Sequence, residues 1–180
     1  MGAVLALLAS LITVTSCSED AVTNPENLCA REDVGVAAQI SGTPDPIDLC
    51  VANDSMSTTF TAGPDNRYEL TATGVSDGIQ ITIEISFYLQ SNQPQELMIT
   101  SDASSALGDD TKALFLYREI KTGDYDYSTS SVTGTFRLTV GDQNVASGTF
   151  SNLQIELDDT VGGTPAGSRT VSGFFAVTPD

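Results

Sequence analysis

Residues 79–89 alternate without a break: Ile79, Ile81, Ile83, Ile85, Phe87 and Leu89 are separated by Gln80, Thr82, Glu84, Ser86 and Tyr88. A helix would scatter those apolar positions around its circumference, whereas a strand places them all on one face. β-Branched isoleucine suits that pleated surface. A strand with one apolar and one polar face belongs to an antiparallel sheet that is covered on one side. Similar runs occur at 57–63, 67–74, 112–119, 131–140, 145–157 and 169–178, with weaker ones at 34–40 and 95–100. Gly63-Pro64-Asp65-Asn66, Ser76-Asp77-Gly78, Gly141-Asp142-Gln143-Asn144 and Gly162-Gly163-Thr164-Pro165 separate them with turn chemistry. Only Ser101 to Asp110 suits a short helix. The expected fold is all-β, an antiparallel meander of about 8–10 strands forming a β-sandwich or a lipocalin-like β-barrel.

Three later segments repeat one pattern. Thr133-Gly134-Thr135-Phe136, Ser147-Gly148-Thr149-Phe150 and Ser172-Gly173-Phe174-Phe175 each read hydroxyl, glycine, any residue, phenylalanine. Glycine inside a strand leaves a gap that a neighbouring ring covers, and it lets the sheet coil sharply. Phe136, Phe150 and Phe174 or Phe175 are therefore candidate core residues. Phe150 differs in parity from Leu153, Ile155 and Leu157, so a β-bulge is expected near Ser151 and Asn152.

The N-terminus has a different character. Ala3 to Val14 is uncharged and almost wholly apolar, long enough for the core of a signal peptide and too short to span a bilayer. Val14-Thr15-Ser16-Cys17 follows it and resembles the bacterial lipobox, although no Lys or Arg precedes the run. That resemblance implies cleavage before Cys17 and lipidation of its thiol, and a doubly or triply acylated cysteine anchors a protein stably. Ser18-Glu19-Asp20 resembles the surface-export signal of Bacteroidota lipoproteins. The expected organisation is a lipoprotein signal peptide over 1–16, a lipidated N-terminus and flexible tether over 17–31, and a single all-β domain over 32–180. Export allows the two remaining cysteines, Cys29 and Cys50, to form a disulfide. Closing that loop of about 22 residues would stabilise the fold by about 3 kcal/mol on a chain-entropy argument.

The stretch from Tyr125 to Val177, with its YDYS, SVTGTFRLTV, NVASGTFSNLQIEL and RTVSGFFAV segments, resembles the C-terminal half of a family of small Bacteroidota lipoproteins of unknown function. The likeness covers about 50 residues well and the N-terminal half only loosely. It implies an exported all-β lipoprotein domain and transfers no catalytic residue.

Charge and composition narrow the function. Asp and Glu number 24 against 7 Lys and Arg, giving a net charge of −17, and the chain has no histidine or tryptophan. Such a balance repels phosphate backbones and anionic headgroups, so nucleic acid is not an expected partner. Without histidine, Ser-His-Asp and Cys-His catalysis and His-containing zinc sites are excluded. The acid pairs Asp109 and Asp110, Asp124 and Asp126, and Asp158 and Asp159 read as solvated surface, and Asp45 with Asp48 lacks the spaced pattern of a calcium loop. Lys112 and Lys121, at the ends of one strand region, read as solubilising charges. Tyr125 and Tyr127 point the same way on a strand and offer a stacking or protein-binding face. The sequence thus reads as a non-enzymatic protein without cofactor or metal, lipid-anchored at the outer membrane and displayed at the cell surface. Its expected role is that of a binding, adhesion or envelope-structural module with a protein or glycan partner. The alternative is a lipocalin-like carrier with an apolar ligand inside its barrel.

Overall fold

The computed structural model describes residues 29, 34–42, 46–52, 55–61, 66–89, 94–141 and 146–177. In chain order the elements are β1 (Val34–Ser41), β2 (Ile47–Ala52), β3 (Met56–Thr61), β4 (Arg67–Ser76), β5 (Ile79–Tyr88), β6 (Gln95–Thr100), α1 (Ala103–Ala106), β7 (Lys112–Lys121), β8 (Tyr125–Gly141), β9 (Ala146–Asp159) and β10 (Pro165–Val177). The strands build one open ten-stranded sheet in the order β2-β1-β10-β9-β8-β6-β7-β5-β4-β3. The fold is all-β, as the alternation implies, and it curls around one core.

Two features depart from the expected strand plan. β2 lies outside the runs that the alternation marks, because its own alternation of Ile47, Leu49 and Val51 with Asp48 and Cys50 is short and follows Pro46. β6 interrupts the meander: it runs parallel to β7 and antiparallel to β8, with Met98 opposite both Lys112 and Thr135. β7 and β8 pair directly only where Arg118 to Lys121 meets Tyr125 to Ser128, and β6 fills the fork beyond. Parallel neighbours need a connection that carries the chain back to the starting end. The β6–β7 connection contains α1, whose N-cap Asp102 accepts a hydrogen bond from the Ser104 N–H at 2.9 Å. Lys112 secures it, donating to the Ser105 carbonyl at 3.2 Å and pairing with Asp109 at 2.9 Å.

The inward positions of the strands meet as one core. Phe87 on β5 stacks on Tyr68 of β4 at 5.6 Å and reaches across the interior to Phe136 of β8 and Phe175 of β10, at 5.7 and 5.8 Å. Phe115 on β7 lies 5.4 Å from Phe150 on β9, and Phe136 stacks on Phe175 at 5.5 Å. Tilted and offset rings at such spacings add to the apolar area they bury.

The repeated glycine motif explains why the rings fit. Phe175 stands opposite Gly148, and Phe150 opposite Gly173. A Cβ on Gly148 would lie 2.7 Å from Phe175 Cε1, and one on Gly173 would lie 2.7 Å from Phe150 Cζ. Each ring therefore occupies the place of its neighbour's missing side chain. The first copy differs, since Gly134 is covered by Leu153. The expected bulge is present at Asn152, where φ is 51° and the register to β10 shifts. Its N–H donates to Ser172 Oγ at 2.8 Å, so the hydroxyl of the third motif fastens the bulge in the second.

End strand β2 packs against β4, next to the sheet's other end, and no strand pairing joins the two among the described residues. Leu49 and Val51 of β2 lie against Gly74 of β4, where a Cβ would be 2.5 Å from Leu49 Cδ1. The Cys29–Cys50 disulfide ties the chain ahead of β1 to this end strand.

Gly173→Ala should lower the unfolding free energy by about 2–3 kcal/mol, because the added carbon overpacks the Phe150 ring and a backbone carbonyl. The urea midpoint measures this, and an unchanged midpoint would show that the rings do not fill the glycine gaps.

Candidate functional site

Two arrangements stand out, one inside the sheet and one outside it. On β7 the inward parity runs through Ala113, Phe115, Tyr117 and Glu119, so an acid falls on a buried position and its residue is 0% exposed. Burying a carboxylate is costly unless it is paired and hydrogen-bonded. Arg169, at the start of β10's inward-facing run, meets the need. Its Nε donates to Glu119 Oε2 at 3.0 Å and its Nη2 to Glu119 Oε1. Its Nη1 donates to the carbonyls of Gly42 and Ser168, at 3.2 and 3.0 Å. The planar guanidinium fork matches a carboxylate in this two-bond geometry, which lysine cannot reproduce. Tyr117 completes the network, its hydroxyl donating to Glu119 Oε2 at 2.7 Å.

The electrostatics follow from burial. The Tyr117 phenol is pushed well above the usual tyrosine range, first by desolvation and then by the negative charge of Glu119. Tyr125 is raised for the same two reasons. Desolvation pulls the Arg169 guanidinium down, but its hydrogen bonds to Glu119 and that residue's charge hold it above its ordinary value. Tyr125 and Tyr127, half-buried, stack at 4.4 Å with 12° between their planes. Both carboxylate oxygens and all three guanidinium nitrogens are engaged within the protein. The chemistry of the cluster is that of a lock joining β7, β10 and the end of β1.

The outer face holds the second arrangement. Cross-strand register aligns Ser57, Thr71, Glu84 and Leu116 in one row, and Thr59, Glu69, Ser86 and Leu114 in the next. A groove of about 300 Å³ lies over these rows, lined by Ser57, Thr59, Arg67, Glu69, Glu84 and Leu114 among others. Arg67 pairs with Glu69 at 2.7 Å and donates to Ser86 Oγ at 3.3 Å. A second groove of about 240 Å³, lined by Thr82, Glu84, Leu116, Arg118 and Ser128, adjoins it at Glu84.

The residues singled out from sequence fall in several places. Cys17, Asp45, the signal peptide and all of the tether except Cys29 lie outside the described residues. Cys29 and Cys50 form the disulfide. The acid pairs are dispersed and used locally: Asp109 accepts from the Thr111 hydroxyl at 2.6 Å, Asp124 pairs with Lys121, Asp126 takes both Nε and Nη2 of Arg118, and Asp159 accepts from the N–H groups of Val161 and Gly162. The Thr111 hydroxyl and then Lys112 hold the Asp109 carboxyl down to about 2. Lys112 is a half-buried clamp on α1, so its charge does more than solubilise. No group of three or more His, Cys, Asp or Glu placed to hold a metal ion occurs among the described residues. Sequence reasoning missed Glu119 and Arg169. The available signal was their parity, since each carries a charge in phase with apolar neighbours.

No protein-family model, curated protein or solved structure matches the chain.

The raised Tyr117 phenol makes stability depend on pH in the alkaline range. Its contribution is complete below the unfolded-state value near 10 and is lost as pH rises beyond it. Between pH 10 and 11, wild type should lose about 1 kcal/mol more than Tyr117→Phe does. Urea denaturation at those pH values measures the difference, and parallel losses would contradict the placement of the phenol.

Proposed function

We propose that the chain is a non-enzymatic, lipid-anchored β-domain of the outer membrane, displayed at the cell surface and acting by binding through its outer face. The observation that carries this reading is the packed interior. Tyr68, Phe87, Phe115, Phe136, Phe150 and Phe175 are all at most 1% exposed and touch ring to ring across the sheet. A lipocalin-like carrier needs those same positions to line a cavity. The two described grooves lie on the opposite face. A net charge of −17 weighs against nucleic acid and anionic lipid as partners, and leaves protein or glycan. Attachment through Cys17 rests on the Val14-Thr15-Ser16-Cys17 motif behind its apolar run. The disulfide between Cys29 and Cys50 agrees with an exported domain.

Expression in a diderm bacterium with labelled palmitate tests the anchor. Wild type should incorporate label and fractionate with the outer membrane, and Cys17→Ser should do neither. Equal labelling of the two chains would defeat the reading. Native mass spectrometry of the purified domain tests the packed interior, where a stoichiometric apolar ligand would defeat it.

A further inference from the structure

The two end strands of the sheet are protected unequally. An edge strand exposes a row of backbone donors and acceptors, and proteins usually blunt such edges with charge, proline or a bulge. β2 has Asp48 at its second position, Pro46 before it and a disulfide at Cys50. β3, Met-Ser-Thr-Thr-Phe-Thr, contains no charge, proline or glycine. Its register to β4 runs from Met56↔Ala72 to Thr61↔Arg67 without a shift. Among the described residues β3 pairs with no strand but β4, and none of them covers its far edge.

The larger outer groove opens at that edge. Its near wall is Ser57 and Thr59 of β3, both small and exposed. One strand inward, Glu69 lies directly opposite Thr59, and Glu84 follows on β5 opposite Thr71. A strand added to an edge gains affinity from main-chain hydrogen bonds and specificity from pockets for alternate side chains. Here both elements coincide. A side chain from a strand beside β3, lying over Thr59, would point at Glu69.

We infer that β3 is a docking edge for an extended, basic peptide segment of a partner protein, which adds as a further strand and directs Lys or Arg into the Glu69–Glu84 groove. Charge complementarity selects this occupant. Two carboxylates line the groove against one arginine already paired with Glu69. A net charge of −17 steers cations in and opposes a second copy of the same chain. The inference deepens the binding-module reading and is independent of the lipid anchor.

The probe is a fluorescein-labelled decapeptide of alternating Thr and Lys, titrated against the purified protein in non-ionic detergent and followed by anisotropy at low salt. Saturable binding is expected, weakening as salt rises. Affinity should fall about tenfold or more with a Thr-Glu peptide, with the Thr-Lys peptide N-methylated throughout, and with the Glu69→Gln/Glu84→Gln variant. On binding, amide exchange should slow within 56–61. Equal affinity for the N-methylated peptide, equal affinity for the acidic peptide, or no binding of the Thr-Lys peptide would each overturn the proposal, as would dimerisation of the protein through β3. Any of these results leaves palmitate labelling of Cys17 unaffected, so the anchor stands or falls separately.

Discussion

The structure depends on one charged pair held in an apolar interior. Glu119 on β7 and Arg169 on β10 are 50 residues apart in sequence, and with β8 and β9 between their strands they meet only because the sheet curls. An unpaired carboxylate at that depth would cost several kcal/mol, so any arrangement that leaves β7 and β10 apart is strongly disfavoured. The pair thus selects the curled register. The phenol of Tyr117 and the carbonyls of Gly42 and Ser168 use the remaining hydrogen-bonding capacity, which is the condition for such a cluster to specify a fold.

Around that pair, packing does the rest. The reciprocal fit of Phe175 over Gly148 and Phe150 over Gly173 brings β9 and β10 together with no space for larger residues. The bulge at Asn152 then turns the remainder of β9 so that Leu153, Ile155 and Leu157 also face inward. The consequence for function is spatial. With rings meeting across the interior, the two grooves lie on the outer face around Glu84, and among the described residues β3 pairs only with β4.

Much of this was legible in the residues. Strict alternation from Ile79 to Leu89 marks β5, and the mismatch in parity between Phe150 and Leu153 marks the bulge. Cys29 and Cys50 were legible as a pair because Cys17 stands in a segment that resembles a lipobox, which leaves two cysteines. What escaped was of two kinds. β2 and the Ser128 to Ser130 part of β8 are obscured because one is a short alternation beside Pro46 and the other is a run of hydroxyls with no apolar signal. β6's parallel placement and the Glu119–Arg169 pair are long-range, set by which strands become neighbours, and local periodicity does not contain that information. The outer grooves were hidden for the same reason, since their rows join residues from β3, β4, β5 and β7.

A double-mutant cycle on the buried pair is the most direct measurement of the central claim, that this contact fixes the curled sheet. Glu119→Leu and Arg169→Met would each strand a charge in the interior and lower the unfolding free energy by about 3–5 kcal/mol. The doubly substituted chain, with no charge left to bury, should recover most of that loss, giving a coupling of several kcal/mol. Losses that simply add would mean that the two side chains do not share one buried site, and the account of the fold would fail with them.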